Sequence, residues 1–260
     1  MLTARVPGIR KKHAVTLCDY RIYTVDAFGV RESSPAAEEF TLVGTRDEYP
    51  GVIPGGEVWV SRRHFPREGI FLMAHALARL GARRRGLSEE QADAAGLDAE
   101  RAVRKDLTGE EFRDGKPHRH VPDKLYHRLY TTIPDPEGPI KAWMIDGLLL
   151  RCWYQTDYAE GGHFVVYPWV PKGEIWLEQD CDLREQPYIA AHEYLEMRMM
   201  RDGGLEYEEA HKIASRLEFD LRHEESDLPV ALGRRFRKSD VPALAAPEVF
   251  EHLREHYLKR

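Results

Sequence analysis

The chain has 260 residues, 42% hydrophobic and 32% charged, with a formal net charge of -6. That length suffices for one large core or two ordinary ones, and interspersed charges with a net acidic balance leave no basic face, so no nucleic-acid partner is expected. No apolar run approaches a membrane span or a signal-peptide core, even in the basic stretch Met1–Lys12, and three widely spaced cysteines (Cys18, Cys152, Cys181) suit a reducing compartment, so a cytoplasmic location is expected.

In chain order, Val15 to Val30 alternates apolar and polar residues like strand. Glu57 to Val60 alternates around Trp59 after a Pro/Gly turn and predicts a half-buried strand. An apolar-rich helix follows from about Glu68 to Arg79, closed by Gly86, and a second runs from Ser88 to Arg104. Leu107 to Pro139 is the connection to what comes next, and its polar part up to Val121 reads as a solvated loop. Lys141 to Tyr154 is again strand-like, and Gly161-Gly162-His163 is a loop whose histidine could reach a ligand or substrate, a surface-loop histidine being the simpler reading. Glu174 to Leu177 predicts a strand around Trp176. Helices over Glu185 to Arg201 and Glu206 to Arg222 flank Gly203-Gly204, and Pro242 to Arg260 reads as one terminal helix.

The order strand, helix, helix occurs twice, and the repeat can be read residue by residue. Tyr49, Pro50, Pro54, Glu57, Trp59, Arg67, Glu68, His75, Ala92, Glu100 and Arg104 recur as Tyr167, Pro168, Pro171, Glu174, Trp176, Arg184, Glu185, His192, Ala210, Glu218 and Arg222. Upstream, Asp26 and Arg31 recur as Asp146 and Arg151. The expected fold is therefore α+β, an internal duplication of a small sheet plus a helix pair. Residues 1–106 form a first repeat with a degenerate site, 107–139 a linker, 140–224 a second repeat with a candidate metal site, and 225–260 a helical tail.

In the second copy His192 and Glu196 stand four apart on one helix face, and His211 and Glu218, seven apart, share a face of the next helix. If these helices pack antiparallel across the tight turn, the two faces oppose each other. A divalent metal, with zinc the first expectation, would take His192, Glu196 and one or both of His211 and Glu218. Glu193 would be the general base for a water that the ion makes acidic.

The strand GEIWL, a short turn, a helix with His192-Glu193 and a second helix bearing Glu218 together resemble the core of zincin-like metallopeptidases of the gluzincin kind. The resemblance covers about Glu174 to Arg222 and makes His192 the first ligand, Glu193 the base and Glu218 the distant ligand. Glu196 stands where that family has its second histidine; a carboxylate is a harder ligand, and His211 can restore an imidazole.

The first copy has His75, Ala76, Arg79, Asp93 and Glu100 at the positions of His192, Glu193, Glu196, His211 and Glu218. An arginine where the ion should lie and an alanine for the base disqualify it. Two readings follow. The first is a metal-dependent hydrolase acting on a peptide, amide or other small-molecule substrate, without a membrane partner. The second is a non-catalytic structural or regulatory protein of the same fold, its metal structural or absent. The repeat itself sets no oligomeric state.

Overall fold

The alternation of buried Tyr20, Ile22 and Thr24 with the more exposed Arg21 and Tyr23 makes a strand with one face to the core. A computed structural model describes residues 9–112 and 121–258. They fall into two units, one holding Met1–Asp114 and Leu148–Ala159, the other Gly115–Gly147 and Glu160–Arg260.

In the first unit, β1 (Lys11–Leu17) is exposed and pairs antiparallel with β2 (Tyr20–Val25). After helix α1 (Ala27–Ser33) come β3 (Val43–Thr45) and the wholly buried β4 (Glu57–Ser61). The sheet runs β1-β2-β4-β3, with β2 and β4 parallel and the outer pairs antiparallel. Helix α2 (Phe65–Arg84) lays Leu72, Ala76 and Leu80 on Ile22, Val58 and Val60. Helix α3 (Glu89–Thr108) starts at a reciprocal capping box between Ser88 and Gln91, a device contributing about 1 kcal/mol. Helix α4 (Gly147–Trp153) comes from much later in the chain, and nearly all of it belongs to this unit. Its Arg151 donates from Nε to Glu68 Oε2 on α2 at 2.8 Å, with both side chains fully buried.

The second unit repeats the plan. Strands β5 (Tyr126–Ile133), β6 (Ile140–Ile145), β7 (Gly161–His163) and β8 (Glu174–Glu178) form a sheet ordered β5-β6-β8-β7 with the same pairing senses. Corresponding tryptophans are tied down alike: Trp59 Nε1 donates to Glu57 at 2.8 Å and Trp176 Nε1 to Glu174 at 2.7 Å. Helix α5 (Gln186–Arg201) packs on β7 and β8 and on α6 (Tyr207–Arg222). Its first turn carries Pro187, its interior is free of glycine, and Gly204 at φ +70 takes up the left-handed turn after it. All but the last turn of α5 is buried, so even its polar residues face protein.

The structure departs from the sequence expectations in four places. The stretch 107–139 is not all connection: α3 extends into it to Thr108, and YHRLYTTI forms β5, an edge strand rich in aromatic and β-branched residues. Its residues 113–120, like most of Met1–Lys12, lie outside the described residues. The strand-like stretches after Val15 and Lys141 turn into α1 and α4, because a short apolar run fits a buried helix as well as a strand. Helix α2 begins before Glu68 and outlasts Arg79. The tail is a 3-10 segment over Lys238–Ala245 and then helix α7 (Pro247–His256), since Pro242 and Pro247 cannot both sit inside one α-helix. Among the described residues no helix is long and apolar enough to cross a membrane.

Candidate metal centre

Helical spacing puts His192 and Glu196 one turn apart on α5, and the hairpin through Gly203-Gly204 brings His211 of α6 against them. His192 Nε2 stands 3.3 Å from Glu196 Oε2 and 3.2 Å from His211 Nδ1, and that nitrogen is 2.7 Å from Glu196 Oε2. One ligand atom from each residue thus meets the others in a small triangle. A tetrahedral zinc with bonds of about 2.0–2.1 Å sets its ligand atoms about 3.3 Å apart. Two imidazoles and a carboxylate also fit that ion chemically.

Glu218 does not join the triangle. Its Oε2 lies 2.9 Å from Nδ1 of His192, the ring nitrogen that faces away from Glu196 and His211. A carboxylate there draws the imidazole proton to Nδ1 and leaves the Nε2 lone pair aimed at the cluster, the carboxylate–histidine pairing common behind metal ligands. Glu218 is held in turn by Arg222, whose Nη2 also donates to Glu185 Oε2 at 3.0 Å. Of the two candidates for the further ligand, His211 stands in the triangle and Glu218 stands behind His192, because helix spacing names a face and not the ring nitrogen it meets.

Glu193, buried beside this cluster, groups with Glu196 and His163. Its carboxyl lies against β7, where a Cβ on Gly161 would sit 2.3 Å from Glu193 Oε1, so only glycine leaves room for it. The sequence favours a surface-loop histidine at His163, yet it ends β7 with 0% exposure and its Nε2 is 2.9 Å from Glu196 Oε1. The Gly-Gly-His run was the only sequence signal, and it did not tell an edge strand from a surface loop. Of the ligand triangle His211 is the exposed member, its side chain 37% accessible and stacked on Tyr207, so solvent reaches the centre from the α6 side.

Electrostatics separate the two carboxylates. Burial, reinforced by the charge of Glu196, pushes the Glu193 carboxyl up to about 8. Burial acts on Glu196 in the same sense, but hydrogen bonds from His163, His192 and His211 overcome it and hold that carboxyl well below the usual range. Burial disfavours the charged form of His192, and the hydrogen bonds to Glu196 and Glu218 reverse this and raise it well above an ordinary imidazole.

In the first unit, His75 Nδ1 and Glu100 Oε2 stand 3.0 Å apart, as His192 and Glu218 do. Arg79 takes the place of Glu196 there and binds Asp93 and Glu89. Compared with known proteins, the chain matches no family model, no curated protein and no solved structure.

Proposed function

We propose that the protein is a metal-dependent hydrolase of peptide or amide bonds, with one divalent ion, zinc first among candidates, on His192, Glu196 and His211. The observation carrying this reading is the triangle of Nε2, Oε2 and Nδ1 at 2.7–3.3 Å. Glu218 fixes the His192 ring from its far nitrogen. The order of His192, Glu193 and Glu218 on the next helix also resembles a zincin-like core of the gluzincin kind, with the departure that the distant glutamate stands behind the His192 ring and not on the ion.

When bound, a divalent ion supplies a water whose pKa falls from about 15.7 towards 7. Glu193, near Glu196 on α5 and wedged against Gly161, is raised by burial and the charge of Glu196; the positive charge of a bound ion would act in the opposite sense and favour its carboxylate. In that form it would take the proton of the attacking water and return it to the departing amide nitrogen, so that amide and water would become acid and amine. His211, at the accessible edge, leaves the approach to the centre from solvent open.

A second reading, a non-catalytic protein, draws on the same distances, since these histidines and carboxylates also satisfy one another as a buried polar network. Elemental analysis of protein purified without chelator, followed by cleavage of a quenched-fluorescent peptide pool with and without zinc, separates the two. One ion per chain with zinc-dependent cleavage is expected. Absence of any stoichiometric ion would overturn the hydrolase.

A further inference from the structure

His163 raises the question of how many ions the cluster holds. Its grouping with Glu193 and Glu196 places a second set of three donors beside the first, sharing Glu196. A carboxylate with histidine on each oxygen is the arrangement in which two metals could be bridged, so the role of His163 decides between one ion and two.

The hydrogen bonds around the ring decide it. The backbone N–H of Val165 donates to His163 Nδ1 at 3.2 Å. A nitrogen that accepts carries no proton, so in the neutral ring the proton sits on Nε2. That Nε2–H points at Glu196 Oε1 at 2.9 Å, as donor to acceptor. His192 has the opposite arrangement: its Nδ1 lies beside the Glu218 carboxylate, which would keep the proton there, and its Nε2 faces the cluster, where an ion would take the place of the proton. A metal ligand needs the lone pair that His192 presents and that His163 has used on a backbone amide.

We propose, on the reading that the triangle holds an ion, that His163 is a positioning residue. It holds Oε1 of Glu196 so that Oε2 faces His192 and His211, and the cluster takes one ion rather than two. The first unit supports the assignment. At the position of His163 it has Thr45, and at that of Glu196 it has Arg79; with no carboxylate to orient, the histidine is gone as well. Thr45 instead donates from its hydroxyl and its backbone N–H to Glu48, both at 2.9 Å, and Glu48 lies 3.6 Å from Arg79. In each copy this last residue of the short edge strand serves the residue at the Glu196 position, directly in one and through Glu48 in the other.

Long-range 1H–15N imidazole spectra of the full chain, without and with added zinc, read the tautomer without any substitution. His163 is expected to keep a protonated Nε2 and a bare Nδ1 in both; loss of the Nε2 proton on adding zinc would overturn the proposal. In zinc titrations the wild type is expected to bind one ion. His163→Leu should still bind one ion, with affinity lower by about 10- to 100-fold. His163→Gln, whose amide can both donate to Glu196 and accept from Val165, should stay close to wild type. Two ions in the wild type falling to one in His163→Leu would make His163 a ligand and sink the positioning role, as would unchanged affinity in His163→Leu. A wild type that binds no zinc would instead overturn the metal reading beneath it.

Discussion

The two helix pairs are built on one frame and end in opposite chemistry. In the first unit Glu68, Arg104, Glu100 and His75 form a chain of hydrogen bonds from the start of α2 across to α3 and back. In the second, Glu185, Arg222, Glu218 and His192 repeat it link by link. Beyond the histidine the copies part. The first places the guanidinium of Arg79 among Asp93, Glu89 and Glu48, while the second brings Glu196 and His211 together with His192 as three donor atoms in reach of one another. Both arrangements bring carboxylates to the same spot, and in the first copy a built-in cation meets them. On the proposed reading, a bound ion would do the same in the second copy.

The comparison can be broken most sharply by grafting the first copy's ending onto the second. Glu196→Arg together with His211→Asp should leave a folded protein that retains no zinc and has no metal-dependent cleavage, as read by elemental analysis and circular dichroism. An ion retained by that double variant would show that the triangle is not the site. Next in size, Glu193→Gln should keep the ion and lower turnover by about 10²- to 10⁴-fold, since the amide preserves shape but accepts no proton. Full activity would remove Glu193 as the base, and equal metal loss would make it a ligand.

A third prediction concerns the shared frame. Burial works against the Glu68 carboxylate, but Arg151 and Arg104 overcome it and hold the group at about 2, against an ordinary 4.5. A carboxyl lowered on folding stabilises fully above its unfolded pKa, and the contribution fades as pH falls from about 4.5 to about 2. Glu68→Gln should therefore destabilise the protein at pH 7, by about 3–5 kcal/mol for a broken buried pair, and should flatten the acid limb of a stability profile measured by urea unfolding. An unchanged acid limb would mean that the Glu68 ion pairs contribute nothing net. Smallest of all, Arg79→Glu should create no second ion site, because Ala76 and Asp93 remain in the positions of the base and of His211; a second bound ion in a zinc titration would show that those positions do not matter.

Much of the centre was legible because helices translate spacing directly into direction. A step of four positions from His192 to Glu196, and a Gly-Gly turn before His211, were enough to bring these side chains together. Spacing does not say which nitrogen of a ring a neighbour meets, so the part played by Glu218 needed coordinates. His163 was obscured for a different reason: its burial comes from β7 packing on α5, a tertiary event that a Gly-Gly-His run does not announce. The paired sheets were readable from Trp59 and Trp176 outward. Helices α1 and α4 were not, since AFGVRES and GLLLRCW are too short for their periodicity to distinguish a buried helix from a strand.

The residence of α4 in the first unit bears on how the protein can be dissected. A fragment cut at the sequence boundary of the repeats, near residue 140, would carry α2 and α3 but not α4. Glu68 would keep Arg104 and lose Arg151, and Arg101 would lose Thr156, its partner at 3.0 Å. The two halves of the sequence are therefore not interchangeable cassettes, and a truncation that respects the repeat in the sequence would remove a helix that contributes to the first unit's buried charge network.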